Sequence, residues 1–215
     1  MEKNKVKRSR GEETKQRILD EAIELISQKG YKGVSIRELA RSVGIKESSI
    51  YNHYGSKDEI LTVILNLFTS EMEGTVLTEE TIEERISAIS PEEFWRVGTS
   101  KFMEATEDPR MEKISLIVFQ EMFRDMRARD IALREFFSRQ QELVELIFTK
   151  MKDRGIIGQV DTNALANAYS YPMLALRFEF NLLKFWGMDT GSVEEKMINH
   201  IRFIAGIARP QSTLI

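Results

Sequence analysis

The sequence predicts an all-α protein, and two observations carry this prediction. Apolar residues recur every three or four positions along most of the 215 residues, which is the period of an amphipathic helix, whereas strand-like alternation is not found. Residues that favour helix starts and ends flank these stretches. We expect three short helices and a connecting fourth helix within residues 12–72, followed by a larger helical domain over residues 73–215.

The first two helices are each marked by their ends. A helix over residues 14–29 carries one apolar stripe and closes at Gly30. The next helix starts at a capping box, in which the Ser35 hydroxyl accepts from a backbone N–H and the Glu38 side chain reaches back. It ends at Gly44, which suits the left-handed conformation that turns the chain sharply.

The third helix is short and mostly polar, with Ile50 directed inward. We expect it to span about Lys46 to Tyr54. Ser56 and Glu59 then form a second capping box, which starts the longer fourth helix. Two short helices that meet at a glycine are the means by which a small protein presents one helix to the major groove of DNA. Residues 35–54 therefore predict a helix-turn-helix motif.

At this point the chain resembles the TetR family of transcriptional regulators over about residues 12–72. The matching residues are Thr14-x3-Ile18-Leu19-x2-Ala22, Gly30-Tyr31, Ser35-Ile36-Arg37-Glu38-Leu39-Ala40, Gly44-Ile45, Ile50-Tyr51-x-His53-Tyr54 and Ser56-Lys57-x-Glu59-x-Leu61. Lys46 stands where the family often has a small hydroxyl residue, and Ser48 stands where glycine, alanine or proline is common. Tyr54 stands where phenylalanine is more usual. The resemblance implies that residues 12–72 bind DNA and that residues 73–215 sense a ligand and dimerise.

The polar face of the third helix supplies the candidate DNA contacts. The residues expected nearest to base edges are Ser48, Ser49, Tyr51 and Asn52. The residues expected to hold phosphates are Ser35, Lys46, His53, Tyr54 and Lys57. For Tyr54, a partly buried position in the core is an equal alternative. A dimer of such domains implies a palindromic operator in double-stranded DNA.

The charge is distributed unevenly, although the formal net charge is only −3. Residues 1–57 contain 13 Lys and Arg against 8 Asp and Glu, whereas the remaining residues contain 18 against 26. A basic N-terminal part joined to an acidic remainder fits a nucleic-acid-binding domain on a second domain of another role. Five of the cations lie in residues 3–10, which form either a solvated terminus or an arm that contacts DNA.

Five helices with identifiable starts are predicted beyond residue 72. They run from Pro91 to about Thr106, from Asp108-Pro109 onward, from about Arg129 to Arg154, from Asp161 to Trp186, and from Ser192 to about Ala208. Pro172 lies inside the fourth of these and predicts either a kink or a helix boundary.

The helix over residues 161–186 carries apolar residues on two faces. One stripe consists of Tyr171, Leu174, Phe178, Leu182 and Phe185, and the other of Tyr169, Met173, Leu176, Phe180 and Leu183. Since two apolar faces need two partners, we expect the last two helices to form a four-helix homodimer interface. The alternative is a large core within one chain.

The resemblance also implies a regulator, most simply a repressor, that a small-molecule effector releases from its operator. The candidate pocket residues are Trp95, Phe102, Met103, Phe119, Met122, Phe123, Phe148 and Phe178. Aromatic and methionine side chains at helical spacing also form ordinary cores. A constitutive DNA-binding regulator, or an activator without a small-molecule ligand, is therefore the alternative.

Other classes of protein are disfavoured by what the sequence lacks. It has no cysteine, only two histidines, and no phosphate-binding glycine loop, Gly-x-Ser-x-Gly elbow or Glu-x-x-His pair, so we expect neither an enzyme nor a bound metal or other cofactor. No apolar run approaches the roughly 20 residues that span a bilayer, and the polar N-terminus does not resemble a signal peptide. We expect a cytoplasmic protein.

Overall fold

A computed structural model describes residues 10–74, 77–97 and 108–210. Its helices are α1 (Arg10–Gly33), α2 (Ile36–Val43), α3 (Glu47–Tyr51), α4 (Lys57–Gly74), α5 (Glu79–Ala88), α6 (91–97), α7 (Pro109–Glu121), α8 (Met126–Ala132), α9 (Arg139–Asp153), α10 (Thr162–Phe185) and α11 (Gly191–Ile207). A π-helical segment, Leu133–Ser138, joins α8 to α9. The described residues contain no strand, and the predicted all-α class is confirmed.

The described residues form two compact units. Residues 10–74 and 108–132 make up the first, here called the head unit, and residues 77–97 and 133–210 make up the second, here called the body unit. The head unit thus contains α1 to α4 together with α7 and α8. Residues 108–132 pack with the first four helices, although they follow the domain boundary that the sequence places after residue 72.

In the head unit, α1 is the helix on which α2, α4 and α7 pack. The buried core residues of these helices are Ile18, Leu19, Ala22, Ile23, Ile26, Leu39, Ala40, Val43, Ile60, Leu61, Ile64, Leu65, Phe68, Ile114, Ile117 and Val118. α1 extends beyond the predicted end at Gly30, but the φ of Gly30 is +71° and breaks the regular helical path there. Its last turn is therefore displaced from the main helix.

In the body unit, α10 packs against both α9 and α11. Aromatic rings fill the core: the Trp95 ring centroid lies 5.0 Å from that of Phe148 and 4.4 Å from that of Tyr169. Apolar side chains from α5, α9, α10 and α11 complete the core around these rings. α10 continues through Pro172 to Phe185, so the residue does not mark a helix boundary.

The long helix predicted over residues 129–154 is wrong as a single α-helix, because the π-helical segment separates α8 from α9. A π turn adds one residue locally, and apolar spacing of three and four does not reveal it. Within this segment the side chain of Glu135 is buried and accepts from Arg134 Nε at 2.7 Å and from Arg139 Nη1 at 3.0 Å.

No single helix among the described residues is long and apolar enough to span a bilayer; α4 and α5 reach the required length and hydropathy only when they are taken together.

Candidate nucleic-acid interface

Hydrogen bonds fix both ends of α2, and those at its C-terminal end form the turn into α3. Ser35 Oγ accepts from the backbone N–H of Glu38 at 3.1 Å, as the capping box predicts. The Glu38 carboxylate pairs with Lys29 Nζ at 2.5 Å, and this hydrogen bond lowers its pKa. At the other end, Gly44 has a φ of +74° and the N–H of Ile45 donates to the carbonyl of residue 40 at 3.0 Å. This arrangement is a Schellman motif, which satisfies the last carbonyls of the helix and redirects the chain into α3.

α3 is shorter than predicted, because it ends at Tyr51 rather than at Tyr54. Ile50 is fully buried and anchors the helix to the head unit. The N–H groups of His53 and Tyr54 both donate to the carbonyl of Ile50 at 2.9 Å, so a tight turn takes the place of the last predicted helical residues. Because only Ile50 of this helix is buried, the other side chains remain at the surface.

The exposed side of α3 carries the residues predicted to meet DNA. Tyr51 is 53% exposed, and Ser48 and Asn52 are also exposed, whereas Ser49 is partly buried. Lys46 is exposed as well and precedes the first turn of α3. These groups offer hydroxyl, amide, aromatic and cationic chemistry on one short helix, which is the combination that reads base edges and holds phosphates.

Tyr54 lies in the core of the head unit, which is the alternative that the sequence left open. Its side chain is 2% exposed, and its hydroxyl donates to the carbonyl of Lys15 at 3.2 Å. The Lys15 ammonium lies 5.2 Å from the centre of the ring, and burial raises the pKa of the tyrosine. The predicted phosphate contact of Tyr54 is therefore corrected, because its hydroxyl is engaged inside the protein.

Lys57 holds the loop that precedes α2. Its Nζ donates to the carbonyls of Tyr31 and Val34, both at 2.6 Å, and lies 4.1 Å from the centre of the Tyr31 ring. Burial lowers the pKa of Lys57, while the charge of Glu121 raises it. Two of the three ammonium N–H groups are thus directed at the protein itself. A phosphate contact by Lys57 stays a prediction and has one donor left.

Two cations of α2 were missed by the sequence-based prediction. Arg37 and Arg41 are exposed, and together with Lys46 they line an open depression between α2 and α3. Arg37 Nε lies 4.0 Å from Glu47 Oε1, which is a weak ion pair at an exposed position. The four-residue spacing of the two arginines places them on one helix face beside the predicted contacts, and that spacing was the available signal.

The candidate pocket residues that the structure describes are divided between the two units. Trp95 and Phe148 meet in the core of the body unit, whereas Phe178 is half exposed on α10. Phe119, Met122 and Phe123 belong to the head unit, where Phe123 is 87% exposed. Phe102 and Met103 lie outside the described residues. Only the first pair thus has the buried and apolar surroundings that the prediction requires.

Several side chains of the body unit bury polar atoms. Trp95 Nε1, Ser170 Oγ and both amide atoms of the Gln141 side chain are buried without a hydrogen-bond partner among the described residues. Buried polar groups are nearly always hydrogen-bonded in native proteins, and each exception calls for a water, an ion or a ligand. The sequence pattern did not indicate these groups, because their burial depends on how α6, α9 and α10 pack.

The two apolar faces predicted on α10 are both present. Tyr169, Met173 and Phe180 are buried in the core of the body unit, with Leu176 and Leu183 packed against it. The opposite stripe is exposed in this chain, and its most exposed members are Tyr171, Phe178, Leu182 and Phe185. On α11, Phe203 and Ile207 are exposed too. Contiguous apolar surface of this kind marks an interaction site.

Known proteins resemble this chain in sequence. Residues 18–64 match the family model described as bacterial regulatory proteins, tetR family. The HTH-type transcriptional regulator YezE of Bacillus subtilis is 29% identical over 168 residues, which cover 75% of this chain and 82% of that protein. The biofilm operon icaADBC HTH-type negative transcriptional regulator IcaR of Staphylococcus epidermidis is 48% identical over 46 residues, which cover 21% of this chain and 25% of IcaR.

A solved structure resembles this chain over nearly its whole length. The structure of AibR in complex with isovaleryl coenzyme A and operator DNA has a TM-score of 0.57, with 19% sequence identity, and the match covers 92% of this chain and 99% of AibR. At that identity the likeness concerns the fold.

Proposed function

We propose that this chain, which belongs to the TetR family of DNA-binding transcriptional regulators and is not an enzyme, is a homodimeric repressor. A small molecule would release the repressor from a palindromic operator. The observation that carries the proposal is the polar, exposed side of α3 beside the cations of α2. IcaR, which is similar to 46 residues of this chain, is a negative regulator by name, and this favours repression over activation. We expect the protein to act in the cytoplasm, where operator DNA is accessible.

The proposed DNA surface consists of exposed and partly buried residues of α2, α3 and the residues that flank them. Its members are Ser35, Arg37, Arg41, Lys46, Ser48, Ser49, Tyr51, Asn52 and His53. The cations would supply affinity that does not depend on sequence, whereas Tyr51 and Asn52 would read base edges. In a dimer, two copies of this surface would contact half-sites separated by about one helical turn of DNA or a multiple of it.

A binding experiment tests this surface. An operator is selected from random DNA by the unchanged protein, and its affinity is then measured as a function of salt. Tyr51→Ala should weaken operator binding by about tenfold or more, since each good base contact contributes about 1–3 kcal/mol. Lys46→Ala should weaken operator and random DNA alike and lower the salt slope by about one. Lys113→Ala, which removes the same charge from α7, should leave the slope unchanged. Unaltered binding by both Tyr51→Ala and Lys46→Ala would overturn the assignment.

The exposed stripes of α10 and α11 support a homodimer. Four large apolar side chains of α10 and three of α11 are exposed in the single chain, and helices packed in pairs across a two-fold axis would cover them. Sedimentation tests this step. The unchanged protein should be a dimer at micromolar concentration, and Leu182→Lys should be a monomer. Gln159→Lys adds the same charge at an exposed position between α9 and α10, and it should remain a dimer. A monomeric unchanged protein would contradict the proposal.

The proposed effector site lies in the core of the body unit near Trp95 and Phe148. The support is chemical: the aromatic rings offer an apolar surface, and the Nε1 of Trp95 itself is a buried polar atom without a partner among the described residues. Ser170 Oγ and the Gln141 amide are further buried polar groups of the body unit. Ligand sites in proteins have this composition, with a few polar groups in an otherwise apolar lining. AibR is an example of a similar fold in complex with both a small molecule and operator DNA.

A thermal-shift screen against metabolites, antibiotics and lipid-like compounds tests the effector. A ligand at one hundred times its dissociation constant should stabilise the protein by about 2.7 kcal/mol. A compound that also releases the selected operator would identify the signal. Trp95→Phe, which removes the indole N–H but keeps a smaller aromatic ring, should weaken the binding of that compound. Operator binding that no compound alters would favour the constitutive regulator instead.

A further inference from the structure

The corner between α7 and α8, residues 121–127, makes polar contacts with α1 and α4 of the head unit. We propose that Glu121 and Arg127 are positioning residues for DNA recognition, which act on the helix-turn-helix motif without touching DNA. The inference rests on the DNA binding of the family and is independent of the effector and of the dimer.

The first contact is made by Glu121, whose side chain is buried. Its Oε1 accepts from the backbone N–H of Tyr31 at 3.0 Å. This N–H needs a partner outside its helix because Gly30, with a φ of +71°, breaks the helical path immediately before it. A side chain at Gly30 would lie 3.7 Å from the carboxylate, which is ordinary contact, so the backbone conformation and not the available space calls for glycine. Glu121 thus holds the kink in α1.

Lys57 of α4 binds the same segment, residues 31–34, through its backbone carbonyls. The carbonyl of Tyr31 accepts from Lys57 Nζ, and the carbonyl of Val34 does so as well. Val34 directly precedes Ser35, which caps α2. The segment that enters the helix-turn-helix motif is therefore fixed between a carboxylate of α7 and an ammonium group of α4.

The second contact is made by Arg127, which binds the first turns of α4. Its Nη1 and Nη2 donate to the two carboxylate oxygens of Asp58 at 3.0 and 2.7 Å, and Nη1 also donates to Thr62 Oγ1 at 2.7 Å. Asp125 accepts from Nη2 at 2.6 Å and orients the guanidinium. A bidentate pair of this kind fixes direction as well as distance. Asp58 directly follows Lys57, which holds the segment that enters α2. Both contacts of the corner therefore act on the position of that segment.

If Glu121 and Arg127 position the helix-turn-helix motif, their variants should change DNA binding differently from variants that only destabilise the fold. Binding to random DNA depends on the total charge and tolerates a change in the orientation of α3 relative to the DNA. Operator binding requires the correct orientation of α3. A variant that displaces α2 and α3 should therefore lose operator affinity selectively. A variant that only lowers stability should bind both DNAs unchanged at temperatures where it is folded.

The experiment uses the full-length protein, the selected operator and random DNA of equal length. Arg127→Ala is compared with Arg129→Ala, which removes the same charge from a neighbouring exposed position where the arginine pairs with Asp130. Arg127→Ala should weaken operator binding by about tenfold relative to Arg129→Ala, a change in the range of measured coupling between sites, with equal binding to random DNA. Glu121→Met should act likewise, whereas Glu121→Gln keeps the acceptor oxygen and should restore most of the affinity.

Equal operator affinities for Arg127→Ala and Arg129→Ala, or a parallel loss on both DNAs, would overturn the inference. If Arg127→Ala does not fold, as judged by circular dichroism, Thr62→Val removes one bond of the same guanidinium and should give a smaller loss of the same selective kind. An unaltered ratio of operator to random binding in that variant would overturn it as well. Failure of the unchanged protein to select any DNA is a separate result, which would overturn the proposed function and this inference together.

Discussion

The head and body units both bury apolar cores, but they expose opposite kinds of surface. The head unit presents cations, hydroxyls and an amide on α2 and α3, and these groups are stable in water and attractive to a polyanion. The body unit presents a stripe of large apolar side chains on α10 and α11, which is unfavourable in water unless a partner covers it. The difference in surface chemistry favours the proposal that the head unit binds DNA and that the body unit forms the dimer.

The two units also differ in how distant segments are joined. In the head unit, buried Glu121 and partly buried Asp125 and Arg127 tie the α7–α8 corner to α1 and α4. In the body unit, Glu83 of α5 pairs with Lys150 of α9, and a large apolar core joins the helices. Charged hydrogen bonds thus fix the orientation of the α7–α8 corner in the head unit. In the body unit, burial of apolar side chains is the main interaction between the helices.

The largest expected effect separates the two faces of the body unit. Phe148→Ala should lower the free energy of unfolding by about 3–5 kcal/mol, because the ring is buried in the core. Phe178→Ala removes an identical side chain from the exposed stripe of α10 and should instead weaken dimerisation. Urea unfolding and sedimentation measure the two properties. Equal losses of stability would show that the stripe is not a separate face.

A smaller effect on the free energy of unfolding is expected from the charged contacts, and it should differ between the two units. The hydrogen bond from Arg127 holds the pKa of Asp125 below its ordinary value of 3.8, and the bond from Lys150 lowers that of Glu83. Since these pKa values are lower in the folded protein, the stabilisation is present above pH 4 and is lost as the pH falls through the folded value. Asp125→Asn should cost about 2 kcal/mol at pH 6.

The control for this prediction is Glu83→Gln, which should cost less at pH 6 because the side chain of Glu83 is more exposed than that of Asp125. Urea unfolding at pH 6 and pH 3 is the measurement. The difference between the unchanged protein and Asp125→Asn should shrink at pH 3. A difference that does not vary with pH would contradict the charged role of Asp125.

The smallest effect concerns one helix cap in each unit. Ser35 caps α2, and Thr78 caps α5 by accepting from the N–H of Thr81. Replacing either by alanine should lower the free energy of unfolding by about 1 kcal/mol. Only Ser35→Ala should also reduce operator affinity, since α2 belongs to the helix-turn-helix motif. A similar reduction for Thr78→Ala would break the functional division between the units.

Features that depend on neighbouring residues were predictable. The cap at Ser35, the turn at Gly44 and the two faces of α10 follow from spacing along the chain, because each depends on atoms a few residues apart. The π-helical segment was not predictable in this way. It inserts a residue into a helical pattern without a distinct sequence signature, so its position requires knowledge of what Glu135 packs against.

The sequence by itself determined the all-α class, the helix-turn-helix motif and the apolar second face of α10, because each is encoded by local periodicity and capping. Only the tertiary structure decided that Tyr54 is buried, that Lys57 holds the entry to α2, and that residues 108–132 pack in the head unit. These contacts join residues far apart in the chain, and their partners are chosen by packing and hydrogen bonding in three dimensions. No local pattern records that choice.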